Sequence, residues 1–288
     1  PSRTAAEPIV STSGAVRRCA VLGSPISHSL SPVLHRAAYA ELGLDWAYDA
    51  CEVREDQLAG FLDGLDETWR GLSLTMPLKR AVVPLLDEAS ARARQAAAAN
   101  TVILEGGRRI GHNTDIPGAV AAIRERTSVA LPSAVVFGGG ATAASVMLAL
   151  ADLGCTTVRV VVRDAGRVGQ TLEAAGRHPA RPMVEVLTFR ELAERAESLQ
   201  PAIAVSTVPA AAQGEGVLRV ASTARVVFDV VYDPWPTPLA RLAETSGLPF
   251  VSGLDLLVHQ AALQVELMTG VPEAPLEAMR AAGLAALT

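Results

Sequence analysis

Lysine is almost missing from this chain. Lys79 is the single lysine among 25 lysine and arginine residues. Asparagine is nearly as scarce, with Asn100 and Asn113 its only two occurrences. Cysteine is limited to Cys19, Cys51 and Cys155, each beside an apolar strand-like run. That usage excludes a disulfide-built scaffold and leads us to expect reduced, buried thiols and a cytoplasmic setting. No apolar run approaches the roughly 20 residues that a membrane-spanning helix needs. No block of basic residues is long enough to follow a phosphate backbone, and the net charge of −5 argues against a nucleic-acid partner. The five histidines are scattered without ligand-like spacing, so no metal site is expected. Residues 1–16 lack the apolar core of a signal peptide and read as a loose tail.

Half of the 288 residues are apolar and 19% are charged, the composition of a globular chain long enough for two ordinary cores. Short β-branched runs alternate with Ala/Leu-rich helical segments, the rhythm of parallel α/β architecture. Strands are expected at 19–23, 46–53, 71–75 and 100–104, with helices at 31–43, 55–64 and 87–98. A second strand series is expected at 133–140, 156–163, 183–188, 202–206 and 226–231, the boundary falling at 116–132. The last 35 residues read as mostly helical, with an apolar stripe at helical spacing in "GLDLLVHQAALQVELMTG".

The segment "AVVFGGGATAAS" sets Gly138, Gly140 and Ala143 in a G-x-G-x-x-A pattern that follows a strand and opens a helix. Glycines there allow a tight turn and close backbone approach, so a pyrophosphate can rest on the helix N-terminus. At the end of the next strand, where an acid would hold the ribose 2′-hydroxyl of NAD, Arg163 and Arg167 are placed to clamp a 2′-phosphate. Asp164 between them keeps NAD open, since it could accept from that hydroxyl or simply pair with an arginine.

Five other stretches carry polar residues that neither a core nor a surface requires. In "SPISHSLSPVLH", Ser31 reads as a helix N-cap with Pro32 at the first helical position, and serine hydroxyls at such a terminus suit a carboxylate. In "SLTMPLK" a proline stops a strand and throws Thr75 and Lys79 onto the loop beyond its carboxyl end, where open α/β sheets place ligands. "AANTV" puts Asn100 at a strand entrance, and "GHNTDIPG" presents Asn113, Thr114 and Asp115 on a turn, unless "NTD" is simply a helix cap. Gln260 sits among apolar neighbours, where a buried amide needs partners.

Taken in order, "SHSLSP", "LTMPLK", "AANT", "GHNTDIPG", "GGGATA", "VYDPWPTPL" and "GLDLLVHQAA" resemble the shikimate dehydrogenase family, from about residue 17 to the end. The resemblance implies NADP-dependent, reversible reduction of 3-dehydroshikimate to shikimate. It implies a substrate-binding α/β domain with a mostly parallel sheet over 17–118, completed by 249–288, and a Rossmann-type NADP-binding domain over 119–248. It further implies that Ser29 and Ser31 bind the substrate carboxylate, with Tyr232 near that end, and that Thr75, Asn100, Asp115 and Gln260 hold the ring hydroxyls. Lys79 would be the general acid/base, paired with Asp115. Gly138, Gly139, Gly140, Ala141, Thr142, Ala143, Arg163, Arg167 and Gly253 would contact the dinucleotide. The partners implied are small molecules, with no nucleic acid or membrane, for a monomer or homodimer.

The scarcity of lysine then acquires a reason. Hydride reduction of a ketone leaves an alkoxide that must receive a proton; an ammonium can supply one, and a guanidinium cannot at any useful pH. The chain departs from the family pattern at Ser73, where asparagine is usual, at Ala141 and Ala144 of the phosphate loop, and at Val162 and Asp164 beside Arg163. Two rivals remain open: an NAD-preferring quinate/shikimate dehydrogenase, suggested by Asp164, and a paralogue that binds these ligands without turnover.

Overall fold

The computed structural model describes residues 17–287, so the expected tail at 1–16 lies outside the described residues. Within them the chain is mixed α/β and divides into two compact units. One unit holds the described residues up to Ala93, Ala98–Thr114 and those from Val258 onward. The other holds Arg94–Ala97 and Asp115–Leu257.

The first unit is built on β1 (Arg17–Gly23), β2 (Trp46–Glu52), β3 (Trp69–Leu74), β4 (Glu88–Ala89), β5 (Thr101–Glu105) and β6 (Arg108–His112). They form one sheet in the order β2-β1-β3-β5-β6-β4. β1 pairs in parallel with both β2 and β3, and β4 with β6, so the sheet is mostly parallel. β1 reads as a continuous apolar run, Cys19 to Gly23 all buried, because both its faces are covered. The core on one face gathers Ala20, Leu22, Leu58, Leu72, Leu74, Leu78 and Val102.

The departure from a purely parallel sheet is β5. It runs antiparallel to β3 and to β6, and Gly106 and Gly107, at φ 58° and 73°, make the two-residue turn of the β5–β6 hairpin. The helix expected over 87–98 is shortened for a related reason. Glu88 and Ala89 pair with Ile110 and Gly111 of β6, and the Ser90 hydroxyl accepts from the Ala93 N–H, capping a helix that spans only Ala91–Ala96. The strand β6 itself, "RRIGH", was absent from the expectations.

The second unit carries β7 (Ser133–Phe137), β8 (Thr157–Val162), β9 (Met183–Thr188), β10 (Ile203–Ser206), β11 (Val226–Asp229) and β12 (Phe250–Val251). All are parallel, in the order β12-β11-β10-β7-β8-β9. The chain winds outward from β7 in one direction and from β10 in the other, a doubly wound sheet whose order reverses between those two strands. Val135, Phe137, Val161, Ala204 and Val227 form its core together with residues of the flanking helices.

Candidate active site

Topology gathers the polar stretches of the first unit at one edge. The order reverses between β1 and β3, so the loops that follow them leave the sheet side by side at its carboxyl edge. They are tied together there: the Ser24 N–H donates to the Met76 carbonyl at 3.0 Å and the Thr75 N–H to the Leu22 carbonyl at 2.9 Å. Gly23 must be glycine, since a Cβ would lie 2.3 Å from Thr75 Cγ2. Because β5 is antiparallel to β3, its start, with Thr101 opposite Ser73, lies at this same edge. The end of β6, with His112 opposite Thr101, lies there too. The hairpin thus brings Asn100 and Asn113–Thr114 to the edge that already holds Ser29, Ser31, Thr75 and Lys79.

A chain of buried hydrogen bonds runs along this edge. Tyr48, 1% exposed, donates its phenol proton to Ser73 Oγ at 2.6 Å. Ser73 donates to Gln264 Oε1 at 2.8 Å, and Gln264 Nε2 donates to the Asn100 carbonyl at 3.1 Å and to Thr101 Oγ1 at 2.9 Å. Asn100 Oδ1 accepts from the Thr101 hydroxyl at 3.0 Å and the Thr114 N–H at 2.8 Å, while its Nδ2 donates to Thr114 Oγ1 at 2.8 Å and Gln260 Oε1 at 3.1 Å. Gln260 and Gln264 reach the sheet from one helix, Gly253–Thr269, which packs closely at β3: a Cβ on Gly71 would lie 2.7 Å from Met268 Cγ.

Ser31 differs from its expected role as an N-cap. The helix Ser31–Glu41 begins with Ser31 itself, the cap position is Leu30 in a helical conformation, and no side chain caps the end. Instead the Ser31 N–H donates to Ser29 Oγ at 3.3 Å. His35, one turn on, donates through Nδ1 to the Ser31 carbonyl at 2.9 Å and stacks on the Tyr48 ring at 3.9 Å. Burial pulls its pKa down to about 4 against the opposing bond to Ser31, so the imidazole is neutral near pH 7.

Lys79 lies in the short helix Leu78–Ala81 just after Pro77 and is half-buried. Its carbonyl accepts from the Ala99 N–H at 2.8 Å, which fixes its backbone beside Asn100. A groove of ≈ 580 Å³ in the same unit contains none of these residues. It is lined by Arg17, Trp46, Trp69 and Gly107, at the opposite edge of the sheet from Thr75.

In the second unit, Asp115 opens the helix Asp115–Arg126 and is 4% exposed. Gly138 follows β7 at φ 113°, and a Cβ there would sit 2.2 Å from Thr207 Oγ1. Gly139 accepts from Thr171 Oγ1 at 2.7 Å, and Gly140 caps the helix Ala141–Asp152 with open space where a Cβ would stand. Ala143 is fully buried against the sheet. Thr142 belongs to the first turn of that helix, whose N–H groups have no acceptor within the helix, so they and Gly140 frame a cradle for an anion. Arg163 and Arg167 are exposed beyond the end of β8. Asp164 Oδ1 accepts from the Gly166 N–H at 2.9 Å, capping the turn Ala165–Arg167.

Tyr232 is half-buried in the loop after β11. Asp229 anchors that loop: it is fully buried, accepts from the Val231 N–H at 3.2 Å and from Gln213 Nε2 at 2.8 Å, and burial raises its carboxyl despite those bonds. Gly253 approaches the same loop, where a Cβ would meet the Val230 carbonyl oxygen at 2.5 Å.

The start of the helix that bears Gly253 is held by Asp255. Its carboxylate accepts from the Ser252 N–H at 2.9 Å and from Arg126 at 2.6 and 3.1 Å. Burial would raise its pKa, but the Arg126 guanidinium and the Ser252 donors outweigh that and hold it below the ordinary carboxylate value. A depressed carboxylate contributes stability above its unfolded pKa and loses it as pH falls through the folded one. Arg126→Ala should therefore cost about 2 kcal/mol near neutral pH. That is less than the ~3–5 of a fully buried pair, because the Arg126 side chain is 43% exposed. Urea unfolding at pH 7 and below about pH 4 checks this: the gap between wild type and variant should shrink on acidification.

Sequence reasoning missed Tyr48, His35 and Gln264. Gln264 had a signal, an amide four residues after Gln260 on the same face of an apolar helix.

Residues 21–102 match the shikimate dehydrogenase substrate binding domain, and residues 253–282 match the shikimate 5′-dehydrogenase C-terminal domain. The shikimate dehydrogenase (NADP(+)) of Synechococcus sp. (strain JA-3-3Ab) is 35% identical over 284 residues, covering 94% of both chains. Among solved structures, Mycobacterium tuberculosis shikimate dehydrogenase superposes with a TM-score of 0.83 at 37% identity, covering 93% of this chain and 99% of that one. Shikimate 5-dehydrogenase of Thermus thermophilus, in complex with NADP(H) and shikimate, does so with a TM-score of 0.78 at 31% identity, covering 94% and 100%.

Proposed function

The chain belongs to the shikimate dehydrogenase family, and on that premise we propose that it catalyses the reversible, NADP-dependent reduction of 3-dehydroshikimate to shikimate. The first unit serves as the substrate-binding domain and the second as the NADP-binding domain. The observation that carries this reading is the convergence of Ser31, Thr75, Lys79 and Asn100 on one edge of the first sheet, with Gln260 bonded to Asn100. Those residue types suit a small polyhydroxylated carboxylic acid. Serine hydroxyls beside a helix N-terminus receive the carboxylate, while the Thr75 hydroxyl and the Asn100 and Gln260 amides bond the ring hydroxyls.

The residues of the second unit fit the dinucleotide. Gly140 leaves room in front of the helix N-terminus for the pyrophosphate, Gly138 holds a backbone only glycine adopts readily, and Arg163 and Arg167 can take a 2′-phosphate. The capping bond from Asp164 to Gly166 gives that carboxylate a local role and favours NADP over NAD. When bound, NADPH supplies the hydride that reduces the ring carbonyl.

The proton is the chain's own contribution. Lys79 donates it from Nζ to the carbonyl oxygen as negative charge develops there, and in the oxidative direction takes it from the hydroxyl. Asp115 and Tyr232, both in the second unit, are the further residues we assign to the reaction, Asp115 to catalysis and Tyr232 to the substrate. The three free cysteines fit a reducing compartment, and we place the enzyme in the cytoplasm. An assay of the purified chain with shikimate should give a rise in reduced-nicotinamide absorbance with NADP⁺ and a far smaller kcat/KM with NAD⁺. No turnover with either cofactor would leave a ligand-binding paralogue, and a preference for NAD⁺ would move the protein to the quinate/shikimate class.

A further inference from the structure

We propose that Gln264 is a positioning residue of the substrate site, acting with Ser73 and Tyr48 to join its carboxylate end to its hydroxyl end as one rigid piece. The inference rests on the reading above, that Ser31 and Asn100 meet opposite ends of the substrate. Gln264 is 1% exposed, and its amide is occupied from both sides: Oε1 accepts from Ser73, while the two N–H donors go to the Asn100 carbonyl and Thr101 Oγ1.

The consequences run in two directions. Thr101 donates its own hydroxyl proton to Asn100 Oδ1 at 3.0 Å, so Gln264 fixes Asn100 at its backbone and, through Thr101, at its side-chain oxygen. Asn100 Nδ2 in turn holds Gln260 Oε1 at 3.1 Å, which sets the Gln260 amide with its oxygen inward. On the other side, Ser73 accepts from Tyr48 at 2.6 Å, and Tyr48 is joined to Ser31 through His35. The phenol ring cannot swing, because His35 lies on its face at 3.9 Å and 18° and is itself tied to the Ser31 carbonyl. The amide, hydroxyl and phenol groups of this network are paired, which makes it stiff, while His35 Nε2 is buried without a partner among the described residues. Placement of the recognition groups to within a fraction of an ångström is what such a network supplies.

The test compares Gln264→Met, which keeps the volume and removes the amide, with Tyr48→Phe, which removes one oxygen, and with the double variant. For each, kcat and the KM values for shikimate and for NADP⁺ are measured on folded protein. Gln264→Met should raise the shikimate KM about tenfold, the effect of one or two lost buried hydrogen bonds. The NADP⁺ KM and the kcat at saturating shikimate should stay within about twofold. Tyr48→Phe should raise the shikimate KM in the same way, and the double variant should be little worse than the worse single one, because both break one network. Should Gln264→Met fail to fold, Tyr48→Phe and Gln264→Glu, which keeps the acceptor and loses the donors, carry the same expectation. An unchanged shikimate KM in folded variants, equal rises for shikimate and NADP⁺, or fully additive effects would overturn the inference while the activity stands. A wild type that does not oxidise shikimate would overturn the reading beneath it and this inference together.

Discussion

Replacing Lys79 with alanine is expected to lower kcat by about 10²–10⁴, the range for a lost acid/base group, while the shikimate KM stays within a few-fold of wild type. The reason is a separation of tasks at the carboxyl edge of the first sheet. In the proposed mechanism binding is spread over the Ser31, Thr75, Asn100 and Gln260 side chains, and proton transfer falls to Lys79 alone. Lys79→Arg sharpens the test: it keeps the positive charge but cannot release a proton, so its kcat should fall nearly as far. If the charge alone mattered, arginine would restore most of the rate. A variant whose KM collapses while kcat survives would make Lys79 a binding residue. A hundredfold loss is about 2.7 kcal/mol of transition-state stabilisation, far more than an exposed ion pair contributes, at ~0–1 kcal/mol. Steady-state kinetics with alanine and arginine at position 79 therefore distinguish the three outcomes cleanly.

The glycine pattern after β7, the alternation of strand and helix, and the scarcity of lysine and asparagine were legible because each follows from a local rule of backbone or side chain. What the sequence hid was long-range. The β5–β6 hairpin escaped notice although "LEGGRR" carries a glycine pair between extended runs. Its consequence, that an antiparallel strand delivers Asn100 to the same edge as Thr75, follows from sheet order and from no local pattern. Ser31 was expected to cap its helix because serine followed by proline is a common start. In the fold the helix starts with Ser31 itself, and its carbonyl is held by His35, which stacks on Tyr48 of β2. Ser73 stands where the family's asparagine is usual and reads from sequence as a loss. In three dimensions it is one link of a relay completed by Gln264, 191 residues away. The two residues have meaning only as a pair.

Arg163→Glu should lower kcat/KM for NADP⁺ by about 10²-fold or more and leave the value for NAD⁺ within a few-fold. The two cofactors differ only in the 2′-phosphate, so any group that meets it is read out by the difference between them and by nothing else. Arg163 is the first residue past β8, exposed, with Asp164 turned aside to cap Gly166. A guanidinium can take two phosphate oxygens at once, and a charge-assisted hydrogen bond of that kind contributes about 1.5–3 kcal/mol. Reversing the charge adds repulsion to the loss, so the penalty exceeds that of Arg163→Ala. Salt provides an independent check. An exposed arginine–phosphate contact is screened over a Debye length of about 8 Å at physiological ionic strength, so wild-type NADP⁺ affinity should weaken with added salt while that for NAD⁺ changes little. In Arg163→Glu the salt effect on NADP⁺ should vanish or reverse, since the screened interaction is then repulsive. Equal losses for both cofactors would mean that Arg163 supports the turn and does not touch the phosphate. The discrimination would then pass to Arg167, whose reversal should reproduce the whole pattern.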